Sequence, residues 1–152
     1  MSENSGTRSV ESRLDELESR NEITRLIHEY CHGADKRDLE RFSAVWAIDG
    51  VWIAGDDPVV GIGDIRATIQ RQWELIPDYH HWSSNVVISI DGERATAESD
   101  VSVAARFDDG SWARSGGTYL DIFKRIKGRW YLAERDIGVG FNLDPLPEGF
   151  EP

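Results

Sequence analysis

The chain has 152 residues, with 28 Asp or Glu against 17 Lys or Arg, for a formal net charge of −11. That length suits one domain with a sizeable core and is too short for two. The acidic balance argues against a nucleic-acid partner, whose phosphates need Lys and Arg to displace counterions, and against an anionic membrane surface. A lone cysteine, Cys31, rules out an internal disulfide and a multi-cysteine zinc site. The first residues, MSENSGTRSVESR, lack the apolar centre of a signal peptide, and no run approaches transmembrane length. The expectation is therefore a soluble cytoplasmic protein with no membrane partner.

Residues 1–10 are polar and small and are expected to be disordered or loosely attached, leaving 11–152 as a single domain. Leu14, Leu17, Ile23, Leu26 and Ile27 recur at helical spacing and predict a helix from Glu11 to about His32, with Gly33 as its stop. Asp38 can cap a second helix whose buried face is Leu39, Phe42, Val45 and Trp46. Asp49-Gly50 punctuates the chain, and Val51, Trp52 and Ile53 read as a short strand. A polar turn then leads through Val59-Val60 into a third helix, from about Gly63 to Leu75.

Beyond Pro77 the segments 80–90, 94–107, 112–126 and 129–139 are rich in Val, Ile, Thr, Tyr and Phe. Asp91-Gly92, Asp108-Asp109-Gly110 and Lys127-Gly128 separate them as hairpin turns. Three helices followed by a meander of four long strands predict an α+β fold, with the helices on one face of a strongly curved, mostly antiparallel sheet. Such a sheet closes as a cone-shaped α+β barrel, and the open end of the cone is a pocket. The tail, FNLDPLPEGFEP, carries three of the five prolines and reads as a wrapped loop.

Two residues stand out as halves of an acid–base pair. Asp35 follows the first helix in EYCHGADKRDLERF, and His81 opens the strand HHWSSNVVISIDG. Alternation sends His80 and His81 to opposite faces, so one ring alone can face the pocket. A strand imidazole facing a helix-end carboxylate can remove a proton without metal or cofactor. Each has a plainer reading too. An Asp after a helix commonly caps the next one, and a strand histidine is commonly a surface or satisfied core residue. Arg135, in WYLAERDIGVGF, shares a row with Tyr131, Ala133, Ile137 and Val139. A structural ion pair and a functional role both stand open for it. Tyr30 and Trp52 are core aromatics by type, although a phenol can also donate a hydrogen bond to a carbonyl.

Other chemistries find no support. Gly61-Ile62-Gly63 lacks a third glycine, and neither a G-x-S-x-G elbow nor a P-loop occurs. Adjacent strand histidines diverge and leave a metal without a third nitrogen ligand. No cofactor and no metal are expected.

The stretches GADKRDLERFSAVWAIDGVW, HHWSSN, GGTYLDIFKRIKGRWYLAERD and FNLDPLP, in that order, resemble the SnoaL-like branch of the nuclear transport factor 2-like superfamily. Within it they resemble the group of lindane dehydrochlorinase, scytalone dehydratase and bile acid 7α-dehydratase, from about Glu16 to Pro147. The resemblance implies that Asp35 and His81 form the catalytic dyad, that Trp52 and Arg135 assist a leaving group, and that Tyr119 and Asp121 belong to the pocket wall. Tyr30 stands where the dehydrochlorinase has a lysine. It looks more like the bile acid dehydratase, whose phenol faces a substrate oxygen, and so implies an oxygenated substrate.

Strand 94–107 sets the resemblance against periodicity. Alternation turns Val101, Val103, Ala105 and Phe107 inward. The resemblance instead puts Asp100 and Ser102 on the cavity side, with Ser102 contacting substrate and the apolar row buried between subunits of a homotrimer. The implied function is a cofactor-independent lyase, dehydratase-like, that eliminates water or another small leaving group from a mid-sized organic molecule. An isomerase or polyketide cyclase, a carbon–carbon lyase and a non-catalytic small-molecule-binding protein are the alternatives.

Overall fold

Ser9 opens the first helix by accepting a hydrogen bond from the N–H of Ser12, and α1 then runs from Val10 to Asp35. The computed structural model describes residues 8–55, 57–145 and 148. The expected loose N-terminus and most of the proline-rich tail thus lie outside the described residues. The apolar stripe of α1 is buried from Ser19 onward, through Ile23, Leu26, Ile27, Tyr30, Cys31 and Ala34. Leu14 and Leu17 share the spacing yet are exposed.

Gly33 does not stop α1. A Cβ there would lie 2.5 Å from the backbone N of Phe42, so this glycine lets the next helix cross closely. The helix ends instead at Asp35, and the chain turns away at Arg37, whose φ of 53° is left-handed, with Arg37 N–H donating to Ala34 O and Asp38 N–H to Gly33 O. Asp38 caps α2 (Leu39–Ala44) by accepting from Arg41 N–H at 3.0 Å.

Strand β1 (Trp46–Ile53) follows directly, then β2 (Val59–Val60), α3 (Ile62–Leu75), β3 (Asp78–Asp91), β4 (Arg94–Arg106), β5 (Trp112–Ile126) and β6 (Arg129–Asn142). The six strands form one sheet in the order β2-β1-β6-β5-β4-β3. Five neighbours would all be antiparallel in a pure meander, but β1 pairs parallel with β6, making the sheet mixed. Asp49-Gly50 lies within β1, at a shift of register between Trp46 and Val51. The fold is α+β, with three helices and a mostly antiparallel six-stranded sheet.

Strand alternation decides what faces the helices. On β4, Ala95, Ala97, Ser99 and Val101 are buried, whereas Thr96, Glu98 and Ser102 are exposed. The core forms where the inner faces of β3–β6 meet α1 and α3, around Ile27, Phe42, Ile65, Ile69, Phe123 and Leu132. Ser102 therefore does not face the cavity. Its Cα partners are Trp82 and Gly116, and Trp82 is 60% exposed on the outer face. Periodicity overrides the resemblance here, because burying the polar row would strand hydroxyls and a carboxylate against apolar helices.

Candidate active site

The last residue of α1 meets the first residues of β3. Asp35 Oδ2 accepts from the backbone N–H of His81 at 2.9 Å, and Asp35 Oδ1 lies 2.5 Å from His81 Nδ1. One carboxylate thus holds both the backbone and the ring of the histidine. An ionised carboxylate can only accept, so Nδ1 carries the hydrogen, and in the neutral ring Nε2 is left with the lone pair. The two side chains are 10% and 12% exposed, enough to reach a ligand and too little to be freely hydrated.

Neighbouring elements fix this pair. Arg37 Nη2 donates to Trp73 O at 2.9 Å and to Ile76 O at 3.2 Å, while Trp73 Nε1 donates to Ala34 O at 2.9 Å. These bonds staple the end of α3 to the last turn of α1, where Asp35 sits. The ring of Tyr79 stands edge-on to that of His81, with centroids 5.2 Å apart. Its phenol is pushed well above the ordinary tyrosine range by burial, so it stays protonated at neutral pH.

His81 lines a cavity of about 410 Å³ on the helix side of the sheet, within the size range of small-molecule sites. Tyr30, Trp52 and Tyr119 line it too, as the residues singled out from the sequence, and they belong to a cluster of aromatic rings with Phe42 and Trp46. Burial raises the phenols of Tyr30 and Tyr119 far above their usual value, against the opposing pull of the Arg135 charge. Both are hydrogen-bond donors rather than phenolates at neutral pH.

Arg135 and Asp121 are placed differently from the expectation. Neither forms the cavity wall; Arg135 is 0% and Asp121 2% exposed. Arg135 Nε and Nη2 donate to the two oxygens of Asp121 at 2.8 and 2.7 Å. The guanidinium carbon lies 4.1 Å from the ring centroid of Tyr30 and 4.2 Å from that of Tyr119. The two tyrosine rings cover adjacent sides of the cation, with their own centroids 6.1 Å apart and their planes at 77°, and both line the cavity. Burial opposes the charge, but the Asp121 carboxylate outweighs that and drives Arg135 further toward the protonated form. Two donors nearby have no hydrogen-bond partner among the described residues, Arg135 Nη1 and Trp52 Nε1, on residues that are Cα partners across β6 and β1.

The sequence reading missed Gln72 on α3, Val101 and Val103 on β4, and Ser115 and Asn142 on the last two strands, all of which line the cavity. Alternation along 94–107 did point to the two valines. Nothing local marks Gln72, Ser115 or Asn142, because the packing of α3 brings the first to the cavity and strand register the other two. A second hollow, of about 420 Å³, lies mainly against outer-face residues, including Thr96, Glu98 and Leu120, and holds no imidazole. Among the described residues no group of three or more His, Cys, Asp or Glu is arranged to hold a metal ion. No helix among them is long and apolar enough to cross a membrane.

An α+β domain with a carboxylate-held imidazole in an aromatic cavity defines the structural class. The chain belongs to the SnoaL-like domain family, whose model matches residues 15–136. No curated protein matches it in sequence. Among solved structures it resembles a hexachlorocyclohexane dehydrochlorinase, LinA type 2, with TM-score 0.80 and 20% identity, over 91% of this chain and 99% of that one. A provisionally named scytalone dehydratase from Novosphingobium aromaticivorans gives TM-score 0.75 and 18% identity, over 91% and 98%. A protein of unknown function with a cystatin-like fold, from Nostoc punctiforme, gives 0.69 and 28%, over 78% and 88%. The fold is thus shared by lyases and by a protein with no assigned activity.

Proposed function

We propose that this protein is a cofactor-independent lyase of the dehydratase type, acting on a mid-sized, oxygen-bearing organic substrate. The observation that carries the reading is the grip of Asp35 on both the backbone and the ring of His81 at the edge of an aromatic cavity. His81 Nε2 removes a proton from a carbon beside an activating group. The electron pair of that C–H bond forms the new double bond as the neighbouring C–O bond breaks. The imidazolium then returns its proton to the departing oxygen, so that water leaves and the base is regenerated. Asp35 fixes the tautomer and stabilises the imidazolium, as a carboxylate does for a histidine base.

The two phenols and the buried cation suit the other end of the reaction. Tyr30 donates to the activating oxygen as negative charge develops there. Arg135 cannot give up a proton, so its part is that of a fixed positive charge beneath the tyrosines that favours the same developing charge. Trp52 Nε1 supplies a further donor for an oxygen. Removing a general base typically costs on the order of 10²–10⁴ in rate, so His81→Ala should lower kcat/KM by about that factor, with Asp35→Asn close behind.

The test is mass spectrometry of the protein with hydroxylated aromatic, polyketide and steroid-like ketones, with His81→Ala in parallel. A product lighter by one water, formed by the wild type alone, supports the lyase. An unchanged mass with altered retention assigns an isomerase or cyclase instead. Full activity of both variants on a verified substrate would remove the dyad from the mechanism.

The working unit is proposed to be a homo-oligomer, with a trimer as the expected stoichiometry. The apolar row of β4 faces the helices, so it is not the interface. The outer face around Trp82 and Ser102 is better suited, because Trp82 is 60% exposed there, whereas Gly116 and Phe141 at the other end of that row also line the cavity.

A further inference from the structure

The register of the sheet places a second polar feature in the cavity, away from the dyad. His81 pairs with Val103, Val103 with Ser115, and Ser115 with Asn142, so four strands contribute one row on the helix side. All four residues line the same cavity. Strands lie about 4.8 Å apart, so Ser115 is about 10 Å from His81 along that row and Asn142 one strand further. The Ser115 hydroxyl and the Asn142 amide make no side-chain hydrogen bond or ion pair among the described residues. They offer both donors and acceptors.

The span between the two polar ends is apolar and open. Val103 lies between His81 and Ser115. The row beside it runs through Val101, Gly117 and Gly140. A Cβ built on Gly140 would meet only Gly116 O, at 3.8 Å, so the space over that glycine is available to a ligand. An apolar strip with a base at one end and a hydroxyl–amide pair at the other matches a long, flat molecule with an oxygen at each end.

We propose that Ser115 and Asn142 form a distal binding subsite for a second oxygen of the substrate, roughly two strand spacings from the carbon that His81 deprotonates. This rests on the dyad reading only for which end reacts. The substrate class is thereby narrowed to elongated aromatic or polycyclic molecules, at least two rings long, that carry oxygen at both ends.

The test uses two ligands that differ by one hydroxyl, 4-hydroxybiphenyl and 4,4′-dihydroxybiphenyl, with affinities read by isothermal titration calorimetry. A hydrogen bond of ordinary net strength corresponds to a preference for the dihydroxy compound of roughly three- to tenfold in the wild type. In the Ser115→Ala/Asn142→Ala double variant the two compounds should bind equally, with the affinity for 4-hydroxybiphenyl kept. Gly140→Val should abolish binding of both biphenyls while phenol binds as before. Equal affinities in the wild type, or a preference that survives the double variant, would overturn the subsite. Because the readout is binding, loss of turnover in His81→Ala leaves this result unaffected, and the failure of either idea can be told from that of the other.

Discussion

Replacing Asp121 with Asn tests whether the Arg135 cation is held as the structure shows. The substitution removes one charge and keeps the volume, leaving a guanidinium with 0% side-chain exposure beside a neutral amide. Of the two charge-assisted hydrogen bonds, at 2.8 and 2.7 Å, the amide oxygen can still accept one, and the amide nitrogen opposes the other. Breaking a buried ion pair by removing one partner costs about 3–5 kcal/mol. The flanking rings of Tyr30 and Tyr119 remain, and their attraction for the cation places the cost near the lower end, about 3 kcal/mol. For a domain of this size that lowers Tm by roughly 6–12 °C. The assay is thermal unfolding by calorimetry, with urea unfolding for the free energy. A companion double variant, Arg135→Met/Asp121→Leu, should cost less than the two single changes added together, because it leaves no unpaired charge. A loss below about 1 kcal/mol for Asp121→Asn would mean a solvated, surface-like pair and would refute the buried-cation account.

Other outcomes follow from the same geometry. Gly33→Ala puts a methyl against the backbone of Phe42 and should cost about 1–3 kcal/mol in urea unfolding, with reduced activity because Asp35 lies two residues on. The folded-state pKa values of Tyr30, Tyr79 and Tyr119 are raised, so their contribution is complete below about pH 10, where unfolded tyrosine ionises, and is lost as pH climbs above it. Unfolding free energy should therefore fall steadily from about pH 10 upward, and phenolate absorbance of these three should appear only with unfolding. Sedimentation should show a species larger than the monomer at micromolar concentration, and Trp82→Lys should dissociate it; a wild-type monomer would remove the outer-face interface.

How far the sequence could be read depended on whether a feature was local. Asp38 as a helix cap, the three hairpin turns and the opposite facing of His80 and His81 are properties of a few consecutive residues, and the structure has each of them. Gly33 misled because a glycine near a helix end serves either as a left-handed stop or as a close-packing site. Which of these applies depends on Phe42, nine residues away, and the left-handed turn falls on Arg37 instead. The parallel pairing of β1 with β6 joins segments about 80 residues apart and leaves no local trace. Ser102 shows the converse, since simple alternation gives its facing and the family comparison did not. Ser115 and Asn142 become neighbours only through the register of the last hairpin.

The site holds two carboxylate pairs with different chemistry, one with an imidazole and one with a guanidinium, and burial separates their roles. Asp35 and His81 keep about a tenth of their side-chain surface exposed, and His81 lines the cavity, where an imidazole can exchange a proton with a ligand. Asp121 and Arg135 keep none. A guanidinium does not release its proton, and with both Asp121 oxygens engaged, this second pair has no means of moving one. What it can do is hold charge where water cannot screen it, against the rings of Tyr30 and Tyr119. Those phenols touch both the cation and the cavity, so they can relay its influence to a ligand. Because burial keeps them protonated, they present O–H donors rather than competing negative charge. Replacing Tyr30 with Phe separates the two functions: the ring and its cation contact stay, so stability should change little, whereas the donor is lost and kcat should fall by about tenfold or more. Unchanged kcat in a stable Tyr30→Phe would leave the phenol as packing alone, with the imidazole as the single reactive group in the cavity.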